Sequence, residues 1–297
     1  MSDNASNPPT QGSAGQTGEG ADANAKPDPQ FELSPSEHAK VRDSLPPRAQ
    51  VLHETIRKQG TVELERNAAA LGWSSLAAGL SMGFSALVPA ILNVHLAEGP
   101  SRFLIATLGY AVGFLIVILA RQQLFTENTM TAVLPMMTKP SVSAFRQLLR
   151  LWGIVLIGNL LGVAVFALGL LYGRVLEPAV HDAMLALAQH ILVNTPWQMF
   201  TKGVVAGWLI ATMVWLVPAA ENAKVPIIVL MTYLIGLGGF THIIAGSTEV
   251  LFAVFDGRVP FYDYLFAFGL PTLLGNIVGG SLIFALISHA QVRSDDA

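Results

Sequence analysis

The sequence predicts an all-α membrane protein: six transmembrane helices in an inverted 3+3 repeat, with the second and fifth helices broken. Three observations lead there. The 297 residues are 52% hydrophobic and only 12% charged, too apolar a mixture for a soluble domain of that size. The apolar residues gather in six runs, each near or above the roughly 20 residues that cross a hydrocarbon core. Two of these runs, the second and the fifth, are interrupted by polar residues and glycines, at 121–129 and at 236–247.

Composition excludes several classes. There is no cysteine, so no disulfide framework and no thiolate chemistry. A net charge of −3 gives no case for nucleic acid. Residues 1–44 are rich in Ser, Gly, Asn, Pro and Asp, lack hydrophobic periodicity and are expected to form a disordered cytoplasmic tail. They hold no apolar core of a signal peptide, so the first span is expected to direct insertion itself.

Residues 45–66 form a juxtamembrane segment. Pro46-Pro47 opens a short amphipathic stretch with Ala49, Leu52 and Ile56 on one side and Arg48, Glu54, Arg57 and Lys58 on the other, ended by Gly60. It suits a helix on the membrane surface or a solvated connector. The transmembrane domain, 67–291, follows. Its predicted spans are 68–94, 103–137, 148–172, 200–220, 225–255 and 264–288. Spans two and five are long because each is expected to be two half-helices joined by a loop. Between spans three and four, residues 177–196 place Met184, Leu185, Leu187, Ile191 and Leu192 at helical spacing, which predicts a second surface helix.

Basic residues set the orientation. Lys139, Arg146, Arg150, Lys224 and Arg293 lie at the ends on the side of the basic N-terminal segment. Arg102, Arg174, Lys202 and Arg258 lie on the other. Both termini are expected in the cytoplasm.

The two halves match. Ala78-Gly79 and Val88-Pro89-Ala90 of span one correspond to Ala206-Gly207 and Val217-Pro218-Ala219 of span four. Phe125-Thr126 of span two corresponds to Phe240-Thr241 of span five. Gly158-Asn159 with Gly162 corresponds to Gly275-Asn276 with Gly279. Three matches in the same order, offset by about 115 to 130 residues, indicate an internal repeat. With three spans per half the second copy must be inverted, and paired broken helices in such repeats point to the substrate path. The glycine pairs, one turn apart, let helix backbones approach. Asn159 and Asn276 are expected to hydrogen-bond between helices.

The Phe-Thr break of span two, the Gly-Phe-Thr-His break of span five and Gly275-Asn276-Ile277-Val278-Gly279-Gly280 of span six resemble the formate/nitrite transporter family, over about 49–291. The runs 121–129 and 207–215 are most similar to its YfdC-like branch. The resemblance implies pentamers of aquaporin-like protomers in the bacterial inner membrane. Each protomer would have its own pore for a small monovalent anion, such as formate or nitrite, or its conjugate acid. It implies no cofactor. It places Thr126, next to Phe125, on the loop breaking span two and His242 on the loop breaking span five, at the pore centre. Tyr110, Phe114, Leu124 and Ile235 fall near hydrophobic constrictions. Gly207 and Gly246 stand where formate channels of the family carry asparagine. Arg121 replaces a residue that is usually small, and Lys202 is the basic residue nearest a vestibule lysine.

An anion crossing an apolar slit loses hydration, at a cost of several kcal/mol even after relaxation. Positive potential from half-helix N-termini and basic side chains offsets part of that. Protonation to the neutral acid offsets more, and histidine exchanges protons near neutral pH. His242, with Thr126 as its hydrogen-bond partner, is therefore expected to orient the anion and to protonate it or relay its proton. A histidine bonded within its loop for structure alone is the other reading. Arg121 and Glu127 pair with each other or with a neighbouring subunit, or Arg121 is an anion ligand. Glu249 is read as a cap of the half-helix after the second break. Tyr110 and Phe114, one turn apart, form a gate or plain packing. A neutral-solute channel and a non-conducting scaffold are the competing functions. The sequence lacks His-Glu-x-x-His, Gly-x-Ser-x-Gly and Gly-x-x-x-x-Gly-Lys-Ser/Thr, which argues against an enzyme.

Overall fold

The computed structural model describes residues 34–45, 47–220 and 222–295. The expected disordered tail therefore lies outside the described residues up to 33. Within the N-terminal unit, α1 (Pro35–Ser44) is helical where composition predicts no regular structure. The reason is local. Ser34 and Glu37 form a capping box, the Ser34 N–H donating to Glu37 Oε2 at 2.8 Å and the Glu37 N–H to Ser34 Oγ at 3.3 Å. Pro35 pre-sets the first turn.

All regular structure in the main unit is helical among the described residues. It opens with α2 (Ala49–Glu65), which runs through Gly60 rather than ending there. His53, Ile56, Gly60 and Leu64 are buried, one stripe at helical spacing. Gly60 is a contact point: a Cβ there would collide with the Thr131 carbonyl. The stripe packs against the helices that follow the first break and against the C-terminal helix. One contact there is His53 Nε2 to His289 Nδ1 at 3.0 Å.

Next come α3 (Ala68–Met82), capped by Asn67 on the Ala69 N–H at 2.8 Å, and α4 (Phe84–His95). Then follow α5 (Pro100–Leu108), α6 (Ala111–Leu119), α7 (Phe125–Thr131) and α8 (Val133–Thr138). The long α9 (Val142–Tyr172) begins on a Ser141 cap. As expected, a separate helix, α10 (Pro178–Leu192), lies between the third and fourth apolar runs. It buries Val180, Met184, Leu185 and Ala188 against α4 and α13 (Ile243–Phe255). α11 (Pro196–Leu216) starts four residues earlier than predicted because Thr195 and Gln198 close a capping box around Pro196. α12 (Lys224–Leu237) precedes α13.

The C-terminal helix, Phe261–Ser294, widens to π-helical turns at Tyr264–Gly269 and Val278–Ala285. Pro271 has no N–H to give, and the first wide turn lies just before it.

Among the described residues five helical stretches are long and apolar enough to cross a membrane: Ala68–His95, Pro100–Leu119, Val142–Tyr172, Pro196–Ala219 and Phe261–Ser294. The predicted fifth span is divided into α12 and α13, both shorter. The predicted second span is divided after Leu119.

Glycines explain the tightest helix pairs. α3 lies on α9, where a Cβ on Gly79 would strike the Asn159 carbonyl. α11 lies on the C-terminal helix, where a Cβ on Gly207 would strike the Asn276 carbonyl. Gly207, expected beside the pore, is thus a point of backbone contact with the last helix. These contacts bring Asn159 and Asn276, both fully buried, up to the two interruptions.

Candidate functional site

Each interruption begins with the same helix ending. After α6 the chain turns left-handed at Arg121 (φ 53°), and the Gln122 N–H reaches back to the Val117 carbonyl at 2.9 Å. After α12 it turns left-handed at Gly239 (φ 57°), and the Phe240 N–H reaches the Ile235 carbonyl at 3.0 Å. These bonds close Schellman motifs, whose left-handed residue is usually glycine. Gly239 obeys that preference and Arg121 does not.

Each interruption is then held by an asparagine from a distant helix. Asn159 Oδ1 accepts the Phe125 N–H at 2.8 Å, and its Nδ2 donates to the carbonyls of Ser75 and Gln123 at 2.8 and 2.9 Å. Asn276 Oδ1 accepts the Ile243 N–H at 2.9 Å, and its Nδ2 donates to the carbonyls of Gly203 and Thr241 at 2.8 and 3.0 Å. Each amide makes three bonds: two grip the interruption, whose helix start has lost its own partners, and one reaches a carbonyl of a neighbouring helix. The expected bonds between helices are present, and sequence reasoning missed their second half, the grip on the interruption itself.

The clamps also put the two interruptions in register with each other. Phe125 and Ile243 are equivalent first residues of α7 and α13, and Leu124 and His242 are the equivalent extended residues before them (φ −103°, ψ 130° and φ −118°, ψ 126°). The Phe-Thr matching of the sequences is therefore slipped by three residues, and Thr126 is not the counterpart of Thr241. Thr241 donates instead to the Met199 carbonyl at 2.7 Å.

Thr126 and His242 meet. Thr126 Oγ1 lies 2.7 Å from His242 Nε2, and both residues are buried. His242 Nδ1 accepts the Ala245 N–H at 3.2 Å as the side-chain cap of α13. A nitrogen that accepts cannot carry the proton, so the neutral ring is protonated on Nε2 and donates to Thr126 Oγ1. The Thr126 hydroxyl proton is then free for another acceptor.

The other expected site residues divide. Phe114 sits edge-on to the His242 ring at 5.1 Å and 5.4 Å from the Tyr110 ring. Tyr110 and Ile235 line a cavity of about 280 Å³ together with His242. Leu124 is fully buried beside Thr126. Phe125 packs edge-on against Trp152 at 5.8 Å. Arg121 is exposed, and among the described residues neither it nor Glu127 has an ion-pair partner, so the two do not pair within one protomer.

The same cavity is lined by His190, Asn194, Lys202 and Glu249. Lys202 Nζ donates to Asn194 Oδ1 at 2.7 Å and stands beside Gly239. Glu249 is not the cap expected of it, since His242 and Asn276 cap α13. The missed signal was spacing: Glu249 follows His242 by seven residues, two turns along one helix stripe.

An all-helical membrane protein with two clamped interruptions meeting across a Thr-His bond is the class these observations define. Residues 50–290 match the family described as Formate/nitrite transporter, and the chain belongs to that family of transporters and channels. It is 53% identical over 253 residues to the inner membrane protein YfdC of Escherichia coli (strain K12), covering 85% of this chain and 82% of that protein. Two solved structures share the fold. A pentameric formate channel with formate bound matches with a TM-score of 0.68 and 23% identity over 76% of this chain and 98% of that one. An FNT family ion channel matches with a TM-score of 0.70 and 19% identity over 81% and 98%.

Proposed function

We propose that the protein conducts small monovalent anions, or their conjugate weak acids, across a bacterial inner membrane, with formate and nitrite as the type substrates. The observation that carries this is the bond between Thr126 and His242, a histidine that lines the cavity. In this reading the chain makes six spans in an inverted 3+3 repeat. Pro100–Leu119 continues through α7 and α8 as the broken second span, and α12 with α13 is the broken fifth. The paired Schellman endings, the paired asparagine clamps and the paired glycine contacts support the repeat. Protomers assemble as a homopentamer with both termini in the cytoplasm, consistent with the basic residues at the span ends. The neighbour that binds formate is itself a pentamer.

The geometry assigns roles. An anion reaching His242 meets the free Thr126 O–H, which donates to it while His242 Nε2–H supports the hydroxyl oxygen. The N-terminal ends of α7 and α13 converge there and add positive potential. Full proton delivery asks more: giving up the Nε2 proton requires Nδ1 to be protonated, which releases the Ala245 N–H. Hydrogen-bond donation is therefore the resting role of His242, and protonation of the anion is coupled to loosening the first turn of α13. Lys202 holds a positive charge in the cavity wall. Tyr110, Phe114, Leu124 and Ile235 keep the approach apolar, and Gly207 keeps α11 against the last helix.

Uptake of formate, nitrite, acetate, lactate and glycerol into proteoliposomes, at about pH 5.5 and about pH 7.5 on either side of the ordinary histidine pKa, tests the reading. The small weak acids are expected to enter and glycerol to be excluded. His242→Asn and Thr126→Val are expected to slow uptake and alter its pH dependence. Unchanged rates and pH dependence in both variants would sink the site assignment.

A further inference from the structure

We propose that Glu249 makes the cavity leading to His242 admit an anion only when a proton accompanies it. The inference rests on the transport reading above and adds a residue to it. His242, Gly246 and Glu249 follow one another at four and three residues on α13, a single helix stripe, and all three line the same cavity. Glu249 is 7% exposed. Among the described residues its carboxyl group has no hydrogen-bond or ion-pair partner. It has no structural task at the helix start, which His242 Nδ1 and Asn276 Oδ1 already serve. A carboxyl without a protein partner that opens onto a cavity inside a membrane protein marks a pathway.

The groups around it sharpen the assignment. Tyr110 comes from the junction of α5 and α6, His190 from α10, Lys202 from α11 and His242 from α13 itself. Tyr264 of the C-terminal helix bonds Ser247 Oγ at 3.1 Å. The neighbouring α3, α4 and α9 put no titratable side chain into the cavity. Lys202 is engaged with Asn194 and forms no ion pair with Glu249. An anion that reaches His242 through this cavity therefore shares it with the acid group. As a carboxylate, Glu249 repels it. As a carboxylic acid, its O–H donates a hydrogen bond to it. Access is set by the proton on this side chain.

Formate uptake into proteoliposomes, measured from about pH 5 to about pH 9 for the full-length wild type, Glu249→Gln and Glu249→Asp, tests this. Dividing each variant's rate by the wild-type rate at the same pH removes the titration of formate itself. The Gln amide is neutral and a donor at every pH. Its ratio is therefore expected to stay near one in acid and to climb about tenfold at the alkaline end, the effect of one unit charge several ångströms away. Glu249→Asp is expected to follow the wild type. A ratio for Glu249→Gln that does not vary with pH, its loss of uptake at every pH, or an Asp variant that behaves like Gln would overturn the proposal. Glu249→Met, also neutral throughout but no donor, is expected to lie below one in acid and still climb with pH, and it serves as the readout if the Gln variant does not assemble. A wild type that takes up no weak acid at any pH would instead refute the transport reading.

Discussion

Replacing Asn276 by alanine removes one acceptor and two donors at a stroke. The Ile243 N–H loses a partner at 2.9 Å, and the carbonyls of Gly203 and Thr241 lose partners at 2.8 and 3.0 Å. A buried polar group left without a partner costs about 1–3 kcal/mol. The Gly203 carbonyl lies inside α11 and keeps its helical bond, so it sits at the low end. The Thr241 carbonyl and the N–H of Ile243, the first residue of α13, flank His242 where no helical partner is available and have less to fall back on. Together the three come to roughly 3–6 kcal/mol. For a chain of this size each kcal/mol moves the melting temperature by about 2–4 °C, so a fall of about 10 °C is expected in detergent, followed by tryptophan fluorescence on heating. Weak-acid uptake should fall with it, because the clamp grips the backbone on either side of His242. Asn159→Ala removes the equivalent three bonds from Phe125, Ser75 and Gln123 and is expected to cost as much. A loss of under about 2 °C in either variant, or sensitivity at one asparagine and not the other, would refute the equivalence of the two clamps.

Two further outcomes follow from single residues. Arg121 holds a left-handed backbone (φ 53°) where the matching helix ending has Gly239, so Arg121→Gly is expected to raise stability by about 1 kcal/mol, readable as a higher melting temperature. Burial, with the charge of His289 next, holds the His53 imidazole below its ordinary 6.5. The folded protein thus keeps His53 neutral while the undocked helix takes a proton. Docking of α2 is fully stable above about pH 6.5 and weakens as pH falls through that value. Limited proteolysis within α2 should speed up at about pH 5 relative to about pH 7.5, and His53→Gln should flatten that difference.

Much of this protein is local and could be read along the chain. Uninterrupted apolar runs announce the long helices, because the periodicity and length of a membrane helix are written in adjacent residues. The polar stretches around Arg121 and Gly239 announce the interruptions, and the separate helix α10 follows from its spacing. Even the helix starts at Ser34-Pro35 and Thr195-Pro196 carry their capping boxes in sequence. What the chain does not write is who meets whom. The Phe-Thr likeness suggested one alignment of the halves, and the asparagine clamps impose another, three residues away, because hydrogen bonds to free backbone groups choose position by geometry rather than by residue identity. Gly60 looked like a helix end and is a contact with Thr131, a fact carried by a residue far along the chain. Glu249 looked like a cap and lines a cavity, because the capping places were already taken from another helix. The bond joining Thr126 to His242 spans residues 116 apart in sequence. Only closure of the two halves on each other brings them within hydrogen-bonding distance.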